Sequence, residues 1–195
     1  MRSFSYGKIV TMQISDVRDD IAEELISSQE ISDKIQEVAA EVSADYAGKY
    51  PLLVAVLKGA VNTMSVFSQA VSIPVQIDFM SLSSYGSGTQ SSGTITVRQD
   101  LGCDVAGRDV LIVEDIIDSG LTLEWLIDEL KRRGAASVEV FALLEKPARH
   151  IAQVDVKYKG FTIPDEFVVG FGLDYDEKYR NLDSIAVLKP EVYEA

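Results

Sequence analysis

The sequence of 195 residues predicts an α/β fold, in which a parallel, doubly wound sheet is flanked by helices. Helical periodicity alternates with short apolar runs along the chain. Runs such as LLVAVL at 52–57 are apolar at consecutive positions, which is typical of strands buried on both faces of a parallel sheet. The length suits one domain with its own core, which we expect over residues 16–195, with residues 1–15 as an extension.

The elements can be predicted in order. Ile31, Ile35, Val38 and Val42 recur at helical spacing, and Ser32 is the predicted N-cap of this first helix. The same patterns predict a strand at 52–57, a helix at 59–71, strands at 75–82, 94–99 and 109–116, a helix ending at Gly134, and a strand at 137–144. Short strands within 151–195 predict a small lobe beside the sheet.

Composition excludes several classes of protein. The net charge of −13 opposes nonspecific binding to a phosphate polymer, so we expect no nucleic-acid partner. No apolar run approaches the ~20 residues of a membrane helix and residues 1–15 lack an apolar signal core, so we expect no membrane association and a cytoplasmic location. Cys103 and His150 are the single cysteine and histidine, which excludes disulfide frameworks and Cys-rich or His-rich metal sites.

The segment VLIVEDIIDSGLTLEWL, residues 110–126, carries the chemistry. Ligands of parallel sheets bind where a strand ends and a helix N-terminus directs its N–H groups into the gap, and the turn DSGLT at 118–122 has this position. Its glycine and two hydroxyls suit a phosphate, although a plain turn with Asp118 or Ser119 as N-cap explains these residues equally well. The adjacent Glu114 and Asp115 add mutual repulsion and desolvation, which a divalent cation or sugar hydroxyls could offset. Together, these features indicate a phosphorylated ribose.

Two other nucleotide-binding patterns do not fit. LIVED is similar to a Walker B strand, but no G-x-x-x-x-G-K-[ST] precedes it. YGSGTQSSG at 85–93 does not match G-x-G-x-x-G and leads into a strand, which predicts a long hairpin loop, either a plain flexible tip or an active-site lid.

Several segments together resemble the bacterial hypoxanthine-guanine phosphoribosyltransferases, of the type I phosphoribosyltransferase family. They are PLLVAVLKGA (51–60), SLSSYGSGTQSSG (81–93), VLIVEDIIDSGLTL (110–123), LLEKPARH (143–150), IPDEFVVGFGLDYDEKYRNL (163–182) and AVLKPEVY (186–193). The resemblance implies the family's fold, with a small hood lobe and a flexible hairpin lid. It also implies purine salvage, in which the 5-phosphoribosyl group of phosphoribosyl pyrophosphate passes to hypoxanthine and guanine with Mg²⁺, giving IMP or GMP and pyrophosphate.

The resemblance also implies roles for individual residues. The 5-phosphate is held by the turn residues Asp118, Ser119, Gly120, Leu121 and Thr122. Glu114 and Asp115 hold the ribose hydroxyls beside Mg²⁺, while Asp118 is the acid or base at purine N7. Pyrophosphate meets the LKG turn, with Lys58 and Gly59, and also Arg180.

Later segments supply the implied base site. Lys146 binds the purine 6-oxo group, Phe167 stacks on the base and Val168 contacts its edge. Asp174 is implied to bind a second Mg²⁺ and to lie near the 2-position. The lid at 81–100, with Ser84 and Tyr85, closes over the site and excludes water, the competing nucleophile.

Two rival functions stay open. Some proteins of this fold bind RNA or DNA as regulators, but the charge of −13 and the purine-type segments KPARH and EFVVG argue against that function here. Xanthine-guanine transfer is the alternative within the same class. Family members form homodimers or homotetramers, so we expect one of these two states.

Overall fold

The computed structural model describes residues 11–84 and 95–194. The strands are β1 (Ile21–Ile26), β2 (Leu52–Leu57), β3 (Gln76–Ser84), β4 (Ile95–Gln99), β5 (Asp109–Ile117), β6 (Ser137–Glu145), β7 (Tyr158–Thr162), β8 (Val168–Val169) and β9 (Ile185–Leu188). The helices are α1 (Ser28–Asp45), α2 (Val61–Ala70), α3 (Leu121–Arg132) and α4 (Pro190–Tyr193), with 3₁₀ turns at Ile14–Asp16 and Pro147–Arg149.

The main sheet has the strand order β4-β3-β2-β5-β6-β7 within the described residues. The strands from β3 to β7 in this order are mutually parallel, and only the edge strand β4 runs antiparallel, paired with β3. The predicted fold class is confirmed. Because parallel strands end at the same edge of a sheet, the residues that follow β2, β5 and β6 meet there.

Two apolar layers cover the main sheet. On one face, Leu53 of β2 and Leu111 of β5 pack in the cluster that contains the buried side of α1 and α2. On the other face, Val54 and Ile112 pack in the cluster that contains the buried side of α3. Successive residues of one strand thus enter different layers, which explains why these strands are apolar at every position.

A second, antiparallel sheet forms the hood lobe, with the strand order β1-β9-β8. Its register pairs Ile21 with Leu188 and Ile26 with Ile185, so it joins segments from near both ends of the chain. The expected hood lobe is confirmed, although the sequence patterns had not predicted β1.

The residues before β1 contact the hood. Met12 forms a parallel bridge with Leu182, and Asp183 accepts hydrogen bonds from Thr11 Oγ1 and Gln13 Nε2, both at 2.9 Å. The division into an extension at 1–15 and a domain at 16–195 stays a prediction.

The predicted N-cap of α1 was wrong. The helix begins at Ser28, with Ser27 rather than Ser32 as N-cap. Ser27 and Glu30 form a capping box, in which the Ser27 backbone N–H donates to Glu30 Oε2 at 2.9 Å. These reciprocal bonds satisfy N–H donors of the first turn, so the helix begins before its apolar repeat.

At the end of α3, Gly134 has the left-handed conformation expected of a glycine that ends a helix, with φ of 88°.

None of the helices in the described ranges is both long enough and apolar enough to cross a membrane.

The contact between β6 and β7 generates a stability prediction. A Cβ on Gly160 would overlap the carbonyl oxygen of Leu143 on the neighbouring strand, and backbone atoms cannot rotate away. We expect Gly160→Ala to destabilise the protein by ~1–3 kcal/mol in urea unfolding. Gly102→Ala is the matched control, because its Cβ would make only an ordinary contact 3.7 Å from Asp78 Oδ2. Equal stability of the two variants would contradict the overlap.

Candidate active site

The sequence-predicted residues meet at the edge of the main sheet where β2, β5 and β6 end. The turn at 58–60 follows β2, and residues 114–118 cover the end of β5 and the start of its turn. Lys146 follows β6, and its N–H donates to the carbonyl of Ile117 at 3.0 Å. The parallel register therefore brings three separate sequence motifs to one place.

A cavity of about 120 Å³ lies at the turn between β5 and α3. It is lined by Glu114, Ile116, Ile117, Asp118, Ser119, Gly120, Thr122 and Leu123. Gly120 is the N-cap of α3, with φ of 80°, and it has no side chain that could cap the helix. Ser119 Oγ accepts one long hydrogen bond, of 3.4 Å, from the N–H of Leu121. The N-cap residue is thus neither Asp118 nor Ser119, although Ser119 contributes this one side-chain bond. A helix N-terminus whose N-cap residue has no side chain leaves backbone N–H groups for an anion.

The two carboxyl groups at the end of β5 are weaker acids than usual. Burial raises the pKa of Glu114 well above its ordinary value, and the charge of Asp115 adds to the effect. Burial also raises the pKa of Asp115 to about 6, although an N–H bond from Ile116 partly opposes the change. Both groups are thus costly to ionise in the free protein, and a bound cation or hydroxyl donor would relieve that cost.

These acids fit Mg²⁺ as part of a site that substrate would complete. Neither Glu114 nor Asp115 forms an ion pair with another described residue. In the described ranges, no group of three or more acidic, His or Cys side chains could hold a metal ion by itself. Mg²⁺ is commonly bound through one or two carboxylates plus substrate phosphates, so a two-carboxylate site suits it. The set of Glu114, Asp115 and Asp174 as metal ligands stays a prediction.

Glycine backbone packs directly against the acidic strand end. A Cβ on Gly59 would overlap the carboxylate of Asp115. A Cβ on Gly172, where φ is 107°, would overlap the carbonyl oxygen of Gly59. Three chain segments are therefore in contact here, and only glycine at both positions permits that approach.

The two cations predicted for pyrophosphate lie on this side of the site. Arg180 donates to the carbonyl of Gly172 at 2.8 Å and forms an ion pair with Asp174 at 2.7 Å. Lys58 is exposed and pairs with Glu177 at 3.1 Å, and Glu177 also pairs with Arg180 at 3.2 Å. The structure thus brings Lys58, Arg180 and Asp174 to one cluster, and adds Glu177, which the sequence had not indicated.

A second cavity of about 150 Å³ adjoins the first. It is lined by Ile116, Asp118, Lys146, Phe167, Val168 and Leu173. Every predicted base-site residue except Asp174 is among them. Ile116 and Asp118 line both cavities, so a ligand that filled both would pass beside the Asp118 carboxylate. Ile116 and Leu173 were missed because nothing in their local pattern distinguishes them from core residues.

Lys146 is buried in this second cavity, with 7% of its surface exposed. Its Nζ donates to the carbonyl oxygen of Glu166 at 2.6 Å. Burial lowers the pKa of Lys146, and the charges of Asp118 and Asp165 partly oppose that change. A buried ammonium with further N–H donors suits a neutral oxygen acceptor on a ligand.

Arg149, which the sequence patterns had not singled out, holds the Asp118 carboxylate. Its Nε lies 2.9 Å from Asp118 Oδ1, and its Nη1 lies 3.3 Å from Asp165 Oδ1. This ion pair places the Arg149 guanidinium beside Asp118 at the junction of the two cavities.

Phe167 presents a ring to the second cavity and is 37% exposed. Tyr193 stacks on it with ring centroids 4.8 Å apart and an angle of 21° between planes, and Tyr175 packs edge-on at 5.7 Å. Neither tyrosine lines the cavity, so they support the ring from outside it. No local pattern along the chain indicated this contact, because Tyr193 lies on a different segment.

The hairpin predicted as a lid is partly described. β3 and β4 form its antiparallel arms, which pair Leu82 with Val97 and Ser84 with Ile95. Residues 85–94, including Tyr85, lie outside the described residues, as does the side chain of Ser84.

Comparison with known proteins agrees with this geometry. The family model described as "Phosphoribosyl transferase domain" matches residues 22–176. The chain therefore belongs to the phosphoribosyltransferase family, and its fold is the type I fold of that family.

Individual relatives narrow the group. The chain is 46% identical to the hypoxanthine-guanine phosphoribosyltransferase of Bacillus subtilis, covering 92% of this chain and 99% of that protein. A crystal structure of a hypoxanthine phosphoribosyltransferase from Staphylococcus aureus aligns with a TM-score of 0.88 and 44% identity, covering 91% of this chain and 96% of that one. Within its family, the chain groups with the hypoxanthine-guanine phosphoribosyltransferases of bacteria.

A longer protein matches the same region. The bifunctional protein TilS/HprT of Listeria innocua is 50% identical over 177 residues, which are 91% of this chain but 27% of that protein. The chain thus spans about a quarter of the length of this relative.

The raised pKa of Asp115 predicts an unusual pH dependence of stability. A carboxyl group whose pKa is raised by folding contributes stability that is present below its usual pKa of 3.8 and lost as the pH rises through about 6. Asp115→Asn has no carboxylate to ionise at this position, so the variant does not lose this stability. We expect its Tm, measured relative to wild type, to rise by on the order of 2–6 °C as the pH is raised from about 4 to about 7.

Glu129→Gln is the control of opposite sign. Hydrogen bonds from Arg132 and Arg133 lower the pKa of Glu129, so its contribution is present above its usual pKa of 4.5 and lost as the pH falls. The Tm of this variant, measured relative to wild type, should therefore fall as the pH rises over the same range. A pH-independent difference for Asp115→Asn would show that burial does not penalise its charge.

Proposed function

We propose that this chain transfers the 5-phosphoribosyl group of phosphoribosyl pyrophosphate to hypoxanthine, and also to guanine, giving IMP or GMP and pyrophosphate. The observation that carries this proposal is the pair of adjoining cavities that share Ile116 and Asp118. One ends at a helix N-terminus suited to a phosphate, and the other has a buried lysine and an exposed aromatic ring suited to a flat base. A nucleoside monophosphate requires both kinds of site.

In the proposed reaction, the bond from ribose C1′ to the pyrophosphate oxygen breaks and a bond from C1′ to purine N9 forms. Pyrophosphate leaves with the electron pair, so C1′ passes through an oxocarbenium-like state. The purine loses a proton at N7, and the Asp118 carboxylate accepts it. Asp118 suits this role because it lines both cavities and its carboxylate lies 2.9 Å from Arg149 Nε.

The turn of residues 118–122 is proposed to hold the 5-phosphate through backbone N–H groups and the hydroxyls of Ser119 and Thr122. Glu114 and Asp115 would bind the ribose hydroxyls and Mg²⁺, and Asp174 would contribute to a second metal position. When bound, Mg²⁺ supplies positive charge that stabilises the departing pyrophosphate. Lys58, the backbone at Gly59 and Arg180 would hold that leaving group.

Base recognition is proposed for the second cavity. The Lys146 ammonium would donate to the purine 6-oxo group, since its Nζ already donates to a carbonyl oxygen there. Phe167 would stack on the base, and the backbone of Val168 would contact its edge. Ser84 and Tyr85 of the hairpin would close over the site and exclude water.

Further properties belong to the same proposal. A homodimer or homotetramer is the expected assembly, and charged phosphate substrates, which do not cross membranes unaided, suit the cytoplasm. Xanthine-guanine transfer is the alternative within the class, because Lys146 would bind the 6-oxo group that all three bases share.

A spectrophotometric assay tests the proposal. With phosphoribosyl pyrophosphate and Mg²⁺, we expect turnover of hypoxanthine and guanine, and loss of turnover in excess EDTA, because Glu114, Asp115 and pyrophosphate would otherwise crowd like charges. Xanthine is the comparison base. Preference for xanthine over hypoxanthine would favour the alternative activity, and no turnover of any purine would contradict the class of reaction.

Asp118→Asn separates proton transfer from a structural role. The amide keeps the shape of the side chain but removes its basicity, so we expect the chemical step to slow by roughly 10²–10⁴-fold in single-turnover kinetics. Folding should be unaffected, because Gly120 and not Asp118 is the N-cap of α3. The control is Asp165→Asn, which removes the other acid that pairs with Arg149 and should leave the chemical step within a few-fold of wild type. An unchanged rate in Asp118→Asn would remove Asp118 from the proton transfer.

A further inference from the structure

Glu177 forms a bridge between the two cations proposed to bind pyrophosphate. Its Oε1 lies 3.1 Å from Lys58 Nζ, and its Oε2 accepts hydrogen bonds from Arg180 Nη2 at 3.2 Å and from Arg180 Nε at 3.3 Å. Each carboxylate oxygen thus contacts a different cation. Lys58 and Arg180 come from distant parts of the sequence, and Glu177 is an anion common to both.

The backbone holds Glu177 in this position. Its N–H donates to Asp174 Oδ2 at 2.9 Å, and Asp174 Oδ1 in turn pairs with Arg180 at 2.7 Å. The φ of Glu177 is 60°, in the left-handed region that non-glycine residues seldom adopt, and its neighbour Asp176 has a φ of 50°. The surrounding contacts therefore maintain a conformation that costs free energy locally.

Two of the three side chains of this bridge are largely exposed. Those of Lys58 and Glu177 are each 64% exposed to solvent. Ion pairs between exposed side chains are weak, so another anion can displace the carboxylate without disturbing buried structure. Asp174 would still pair with Arg180 after such a displacement.

We propose that Glu177 is a residue of the pyrophosphate site, whose carboxylate occupies the place between Lys58 and Arg180 in the free protein and withdraws when the pyrophosphate group binds. This inference rests on the proposed function of the site. Glu177 keeps the two cations oriented, but it competes with the ligand and repels it, so it weakens binding of phosphoribosyl pyrophosphate and of free pyrophosphate. It leaves binding of the nucleoside monophosphate unchanged, because that product has no group at this position.

Glu177→Gln tests the proposal, because the amide keeps the length of the side chain and removes its charge. In isothermal titration calorimetry at a fixed excess of Mg²⁺, we expect inorganic pyrophosphate and phosphoribosyl pyrophosphate each to bind the variant ~3- to 10-fold more tightly than wild type. The affinity for IMP should change by less than about 2-fold. Glu177→Ala, which removes the carboxylate altogether, should tighten pyrophosphate binding in the same direction.

Asp176→Asn is the matched control. It removes the same charge from the neighbouring residue, which also has left-handed backbone, but Asp176 pairs with Lys178 at 3.5 Å and not with Lys58 or Arg180. Its affinity for pyrophosphate should stay within about 2-fold of wild type.

Three results would overturn the proposal. Unchanged or weaker pyrophosphate binding in Glu177→Gln would show that the carboxylate does not compete with the ligand. Equal tightening in Asp176→Asn would show a general effect of net charge, and equal tightening for IMP would place the effect outside the pyrophosphate position. Failure of the proposed function is distinct, because wild type itself would then bind neither pyrophosphate nor phosphoribosyl pyrophosphate.

Discussion

The parallel pairing of β5 with β2 and β6 is the constraint on which the rest of the site depends. Because β5 lies between these two strands, its carboxyl end carries Glu114 into a buried position and Asp115 into a partly buried one, which a peripheral strand would leave in water. The same pairing sets the turn after β2 on one side of these acids and Lys146 on the other. The close contact of Gly59 with Asp115, and the bond from Lys146 N–H to the Ile117 carbonyl, are consequences of this register.

The sequence predicted what depends on local patterns and missed what depends on contacts between distant segments. Strands apolar at every position identified the main sheet, whereas β1, with the sequence IAEELI, has buried ends and an exposed acidic middle and so lacks that signal. In the site, the motifs located Asp118 and Lys146. Arg149 and Tyr193 act through partners on other segments, and no spacing along the chain encodes those contacts.

The charges of the site resolve an apparent conflict in an acidic protein that is proposed to bind a highly anionic substrate. The net charge is −13, and Lys58 and Arg180, the two cations proposed to hold pyrophosphate, are both paired with Glu177 in the free protein. Binding would therefore exchange one anionic partner for another rather than expose and then neutralise free cations. Such an exchange favours specificity over raw affinity, since only an anion that satisfies the same cations can replace the internal carboxylates.

The two cavities share Ile116 and Asp118 but otherwise draw on different parts of the fold, which in the proposed function separates phosphate binding from base selection. The first belongs to β5, α3 and the turn between them, in the main sheet. The second takes Phe167 and Val168 from the hood, where Phe167 O accepts a bond from Leu188 N–H at 2.9 Å and Val168 pairs with Val187. In the proposed function Val168 contacts the base edge through backbone atoms, which are the same for every residue type. We therefore expect selectivity among purines to depend on how β8 pairs with β9, and a sequence motif alone does not specify that geometry.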